Sequence, residues 1–473
     1  MNPRDRVVTV LMTVSLLATV GLGTAAAVTL AHGTSPTVSY QAGAVVAQNS
    51  SASATPSAAA GPNAPGAPGS TSGSKTTTKT TTSGGSKGVN SSQNFIHNGV
   101  ITVGGIFDET GPLDATVERD TVRAYFDQIN AAGGVNGNKL QLIDCDSQFN
   151  PSAAHSCALK LLSEGVLAIV GWTSVSGENN EAPFLDTQTS SCPQCGIPIF
   201  GGLGVDAEFQ SPLSFPVADP LGRQGYAGGS HLCALGYKKA AVVYLNAPSF
   251  GSVNAGVLKG LATCGQAPSG NDDVGVDIAN QQDYSQIVTP WLTDGTQSVL
   301  PGLDPFSMAR LYQAMERYQF NKPVVGAGLD KVSAEGAYGS YFAGAHSFTP
   351  VLESVGHESN PAMADYLNTV KRYYPAQVAN GNLDVYTVEQ WIAAHVFVGA
   401  LRTITGTVTR QALVTAAQNL QNFGTGGLTQ PLSYGKGGLN DPNHWVQWMQ
   451  NDSGKPDGWT TTSGWVYIPY NPF

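Results

Sequence analysis

The chain has 473 residues and a formal net charge of −10, with only 12% of its residues charged. That length exceeds one ordinary domain and allows two sizeable cores. The first 92 residues carry five basic residues against Asp5 alone, leaving 18 basic and 32 acidic residues for the remainder. This acidic balance argues against nucleic acid as a partner, since phosphate binding needs clustered Lys and Arg.

Arg4 and Arg6 precede a charge-free, apolar run from Val7 to Ala31. Two readings of residues 1–32 fit. A cleaved signal peptide would use the small residues at Ala25, Ala26 and Ala27. A signal-anchor would stay in the bilayer, since about 20 apolar residues suffice to span it, with its basic end in the cytoplasm. Residues 33–95 are rich in Ser, Thr, Ala, Gly and Pro and predict a disordered linker. Its mean reach as a flexible chain is on the order of 45 Å.

From residue 96 the chain predicts repeated β-α units. Ile101 to Phe107 reads as a strand, and Val122, Tyr125, Phe126 and Ile129 repeat at helical spacing up to Asn130. Gly133 and Gly134 stop that helix. Strand Lys139 to Ile143, a helix from Pro151 to Ser163 and strand Val166 to Val170 complete a β-α-β-α-β unit, which requires a mostly parallel sheet. Strands follow at Ile197–Phe200, Ala240–Leu245, Val274–Ile278 and Pro323–Gly326. Helices are expected over Gly222–Leu235, Phe250–Thr263, Pro305–Tyr318, Pro361–Tyr374, Val385–Thr403 and Arg410–Asn419. Ser214–Pro220 and Ala343–Pro350 read as crossings between two lobes, and Trp445–Tyr467 as terminal strands.

The phrase Ile129-Asn130-Ala131-Ala132-Gly133-Gly134-Val135-Asn136-Gly137-Asn138-Lys139-Leu140 resembles the first helix-loop-strand of type 1 periplasmic binding proteins of the leucine/isoleucine/valine-binding family. Asp108 to Pro112, Asp146 to Ala154 and Asp283 to Ile287 are similar to further family segments. The resemblance implies an α/β fold of two doubly wound parallel-sheet lobes joined by crossover strands. Lobe 1 is expected at about residues 98–219 and 347–440, and lobe 2 at about 220–346 and 441–473. It also implies an extracytoplasmic, monomeric receptor of an ABC importer, partnered by a membrane permease and without cofactor, metal or catalysis. The ligand would be an amino acid or a related small polar molecule.

Ligands in open α/β sheets bind beyond the carboxyl ends of strands, so the loops at those ends carry the candidate site. Thr110, Thr173, Ser174 and Ser176 supply hydroxyls, and the N–H groups of Gly204 and Val205 suit a carboxylate. Trp172 and Phe250 offer rings for stacking. The resemblance calls for an acid from lobe 2 on the ligand ammonium; Asp304 and Asp330 are the nearest candidates. Val205 stands where the family carries a hydroxyl, and the acid is displaced from its expected place. These departures leave another amino acid, an amide or an aromatic acid as possible ligands.

All six cysteines follow the export signal, as in an oxidising compartment. Their local placement suggests the pairs Cys145 with Cys157, Cys192 with Cys195, and Cys233 with Cys264. The CPQC motif at Cys192 leads into a strand rather than opening a helix, which favours a structural bridge over a redox site. Gly202 to Ala207 matches a lone GxGxxA, but it is not at the first strand, and GxSxG, HExxH and P-loop motifs are absent. A sensing ectodomain acting through a partner and a structural surface protein are the remaining alternatives.

Overall fold

The computed structural model describes residues 93–473 apart from 190, 193, 279, 282, 328, 330–342, 436–439 and 456–457. The expected signal segment, nearly all of the linker, and Asp330 lie outside the described residues. Among the described residues no helix is long and apolar enough to cross a membrane.

The first lobe is built on one sheet. Strand β1 (Ile96–His97) turns through Asn98 and Gly99, both at positive φ, into β2 (Val100–Phe107). Helix α1 (Thr116–Ala131) leads to β3 (Lys139–Asp146), and α2 (Pro151–Ser163) leads to β4 (Ile169–Thr173). Helix α3 (Glu178–Asp186), β5 (Ile199–Phe200), α4 (Asp206–Gln210) and β6 (Ser214–Phe215) follow. β3, β2, β4, β5 and β6 pair in parallel in that spatial order, with β1 antiparallel beside the start of β2.

The glycine-rich phrase after α1 has a physical reason. The Asn130 side chain accepts from Leu140 N at 2.8 Å and donates to Leu140 O at 2.8 Å, clamping the helix end to β3. Gly134 sits at φ +82, and a Cβ there would lie 2.0 Å from the Asn138 carbonyl oxygen. Only glycine fits that turn.

The second lobe starts with α5 (Leu221–Ala234), β7 (Ala240–Leu245), a 3-10 turn at Pro248–Phe250 and α6 (Gly251–Ala262). It continues through β8 (Asp273–Val276), α7 (Ser285–Asp294), β9 (Ser298–Gly302), α8 (Pro305–Arg317), β10 (Val325–Ala327) and β11 (Ala345–Thr349). β8, β7 and β9 are parallel, and a Val299–Val324 bridge joins β9 to the segment entering β10. Ala343–Pro350, expected as a crossing, therefore contains a lobe-2 strand. The chain then returns to lobe 1 as α9 (Pro361–Tyr373), α10 (Pro375–Ala379), α11 (Val385–Arg402) and α12 (Arg410–Gln418). It ends in lobe 2 as β12 (Trp445–Asn451), β13 (Trp459–Thr461) and β14 (Val466–Tyr467). β12 pairs antiparallel with β11, β13 and β14, so this half of the lobe-2 sheet is mixed.

Packing explains the layers. α1, α9, α11 and α12 cover one face of the lobe-1 sheet through a core that includes Tyr125, Phe126, Trp391 and Phe397. In lobe 2, α5 and α6 meet backbone to backbone. A Cβ on Gly256 would lie 1.9 Å from Gly222 O, and one on Gly229 would lie 2.3 Å from Val257 O. The disulfide Cys233–Cys264 ties this pair, while Cys145–Cys157 and Cys192–Cys195 close lobe 1.

Candidate functional site

The lobes meet across a cleft at the carboxyl ends of their strands, and their walls touch. Ser249 Oγ of lobe 2 donates to Val175 O of lobe 1 at 2.6 Å. The Asp206 carboxylate of lobe 1 faces Ser252 of α6. One apolar cluster runs continuously from Val175, Leu203 and Val205 to Leu221, Val253 and Leu300. Between the walls lies a chamber of about 40 Å³. Phe250, Val253, Leu300, Leu303, Ala327 and Phe348 line it from lobe 2, with Leu221, Gln224 and Tyr386 of α11 completing it.

The loops of lobe 1 are held by a buried carboxylate. Asp108 accepts from Ser147 Oγ at 2.6 Å and from the N–H groups of Phe149 and Val175, both at 2.8 Å. This one side chain fastens the loops after β2, β3 and β4 together. Its burial raises its carboxyl above the ordinary range even against those three bonds. Thr110 is exposed at the rim, where its hydroxyl donates to Asp146 at 2.5 Å.

The expected site residues after β4 fall differently from the sequence reading. Pairing of Ile106 with Trp172 and of Phe107 with Thr173 carries β4 three residues past its expected end. Trp172 and Thr173 are therefore strand residues, and the Trp172 ring is fully buried among apolar side chains. Ser174 is fully buried, with its Oγ 2.9 Å from the Cβ position of Gly177 at the start of α3. Ser176 is 9% exposed.

The Gly204 and Val205 N–H groups, expected to face a ligand carboxylate, carry an internal one. Both donate to Glu208 Oε1, at 2.7 and 2.9 Å. Leu203 N–H donates to Glu178. Gly202 is needed beside them, because a Cβ there would lie 2.3 Å from both carboxyl groups. Burial, and then the neighbouring charge of Glu208, lift the Glu178 carboxyl well above the usual range. Burial pushes Glu208 up to about 7 although Glu178 and the two N–H groups pull it down. Glu389 of α11 is likewise raised well above the usual range, by burial first and the charge of Glu208 second.

On the lobe-2 side Phe250 lines the chamber. Asp304 instead caps α8, accepting from Ser307 N at 3.1 Å. Glu178, Glu208, Gln224, Tyr386 and Glu389 were not singled out from the sequence. One signal was available: Glu389 is the single acid among the 18 residues of the largely apolar α11.

Behind the cleft, the crossings share a buried ion group. Arg223 is fully buried, contacts Asp219 at 3.4 Å and pairs with Asp441 at 2.7 and 2.6 Å. It also donates to Asn443 O at 2.9 Å and Tyr470 O at 2.7 Å.

Residues 100–453 match the family described as Periplasmic binding protein, and the chain belongs to it. No curated protein sequence matches the chain. Solved structures share the fold. A fatty acid ABC transporter substrate-binding protein from Thermomonospora curvata is 16% identical, with a TM-score of 0.66 over 80% of this chain and 94% of that one. A leucine-binding protein from Thermotoga maritima is 14% identical, with a TM-score of 0.63 over 78% of this chain and 99% of that one. An ABC transporter solute-binding protein from R. palustris in complex with benzoate is 16% identical, with a TM-score of 0.62 over 78% and 98%. The chain is thus an extracytoplasmic solute-binding protein and not an enzyme.

Proposed function

We propose that this protein captures a small molecule with an apolar body in the interlobe chamber and delivers it to an ABC permease. The apolar lining of Phe250, Val253, Leu300, Leu303 and Phe348 carries this reading. An α-amino acid, the ligand expected from the sequence, has less support. Its carboxylate would compete with Glu208 for the Gly204 and Val205 N–H groups, and Asp304 is engaged at the start of α8. The fatty acid receptor and the benzoate complex among the structural relatives carry apolar-bodied ligands by name, which supports a ligand of that shape here. The apolar run behind Arg4 and Arg6 supports export and a possible membrane anchor; recovery of the full-length protein in the membrane fraction tests the anchor.

The ligand reading is tested by thermal unfolding of the full-length protein in detergent against amino acids and small apolar-bodied compounds. A ligand at 100 times its Kd stabilises by about 2.7 kcal/mol. Phe250→Ala should weaken the best compound at least tenfold. An unchanged affinity removes the chamber as the site, and amino acids as the only binders restore the amino-acid reading. A panel with no stabilising compound counts against the receptor reading itself.

A further inference from the structure

We infer that Leu300 and Phe348 form a fixed floor to the interlobe chamber, so that the protein selects apolar bodies by length and admits only short ones. The inference rests on the reading of the chamber as the solute site and adds the residues that set its limit.

The chamber has a mouth and a closed end. The mouth lies at the carboxyl ends of the lobe-2 strands, where Gly302 ends β9, Ala327 ends β10 and Phe250 follows β7, with Tyr386 contributed by lobe 1. On α5 the lining runs from Leu221 to Gly225 and goes no further. Gly228 follows three residues later, about 4.5 Å along the helix axis. A Cβ on Gly228 would lie 3.0 Å from Leu300 Cδ1 and 3.1 Å from Phe348 Cε1. Leu300 itself stands two residues before Gly302, roughly 7 Å down the strand. The two side chains thus come together against the bare helix backbone at Gly228 and close the end of the chamber.

The floor has solid core behind it. Leu300 and Phe348 are both buried. Strand β11 holds Phe348 in register between Ala327 of β10 and Trp448 of β12. The Phe348 ring meets that of Trp448 with centroids 5.2 Å apart, and the His231 ring stacks on Trp448 at 3.5 Å. A chain long enough to pass the floor must displace these side chains, and a close-packed core resists such displacement.

Volume and floor give the same selection rule. At about 10–15 Å³ for each water-sized group, a chamber of about 40 Å³ takes roughly three such groups. Each methylene that fits should raise affinity about fourfold. The first that meets Leu300 or Phe348 reverses the trend.

The test measures two homologous series of unbranched probes, alkanoates and alkanamides of three to eight carbons, by calorimetry on the full-length protein in detergent. Wild type and variants share each buffer, so loss of probe to micelles cancels in the comparison. In the series that binds, wild-type affinity should peak at or below six carbons and fall at least tenfold by eight. Phe348→Ala should bind the eight-carbon probe at least tenfold tighter than wild type does, a gain that damaged folding cannot produce. Phe348→Leu, which keeps an apolar side chain in the core, takes its place if the alanine variant does not fold, with a gain of at least threefold. A wild-type rise unbroken to eight carbons, or a break that the folded variant does not move, overturns the inference. If Phe250→Ala still weakens the binders in that case, the chamber reading survives. If neither series binds at any length, the apolar-ligand reading and the floor fall together.

Discussion

The two walls of the cleft are built in opposite ways. The lobe-2 wall is apolar, backed by two helices so close that their backbones touch through Gly222, Gly229 and Gly256. The lobe-1 wall is polar inside: Glu178 and Glu208 are buried against the backbone N–H groups of residues 203–205. The first wall draws rigidity from steric closeness, which depends little on pH. The second draws it from a pair of carboxyls that share a site only while a proton is present, because adjacent buried carboxylates cannot both ionise cheaply.

Five perturbations separate these designs. The largest effect is expected where the walls join. Arg223→Ala leaves Asp219 buried without its cation and removes the partner of half-buried Asp441, and should lower stability by about 3–5 kcal/mol in urea unfolding. A loss below about 1 kcal/mol would show that the ion group contributes little. Within lobe 2, removing the Cys233–Cys264 bridge, with its sequence separation of 31, should cost about 3–4 kcal/mol. The Cys192–Cys195 bridge closes a separation of only 3, and its removal should cost about 2 kcal/mol by the same loop-entropy relation. The reverse ranking would mean that strain, not loop closure, governs both.

Gly256→Ala drives a methyl into the Gly222 carbonyl and should cost about 1–3 kcal/mol, equally at pH 5 and pH 8. A loss confined to one pH would contradict the steric account. The subtlest effect belongs to lobe 1. Burial holds the folded-state carboxyl of Glu208 at about 7, above its ordinary 4.5, and raises that of Glu178 well above the same ordinary value. Stability carried by the protonated pair is complete below about pH 4.5 and falls as pH rises through about 7. Glu178→Gln, which mimics the protonated acid, should raise the melting temperature at pH 8 relative to wild type and change it little at pH 4.5. A variant less stable than wild type at pH 8 would show that the shared proton is not the source.

Much of the scaffold is legible in the chain because it is local. The helical spacing of Val122, Tyr125, Phe126 and Ile129, the stop at Gly133 and Gly134, and Asn150 capping α2 all act within a few residues. Elements with internal contradictions were harder to read. β9 contains Pro301, which lacks the N–H expected of a central strand, yet it pairs with β7. Helix α3 contains Pro183.

The site was less legible than the fold. The sequence by itself pointed to an α/β receptor of two lobes and to the loops that border a cleft, and it suggested the three cysteine pairs that the structure joins. It could identify N–H groups suited to a carboxylate at Gly204 and Val205. Only the tertiary structure decided that Glu208 bonds them first, that Trp172 turns into the core, and that Glu389 and Gln390, some 180 residues later in the chain, stand behind the same cleft. The physical reason is that strand register and helix docking set which face a side chain takes. A three-residue extension of β4 was enough to turn an expected ligand contact into a core residue.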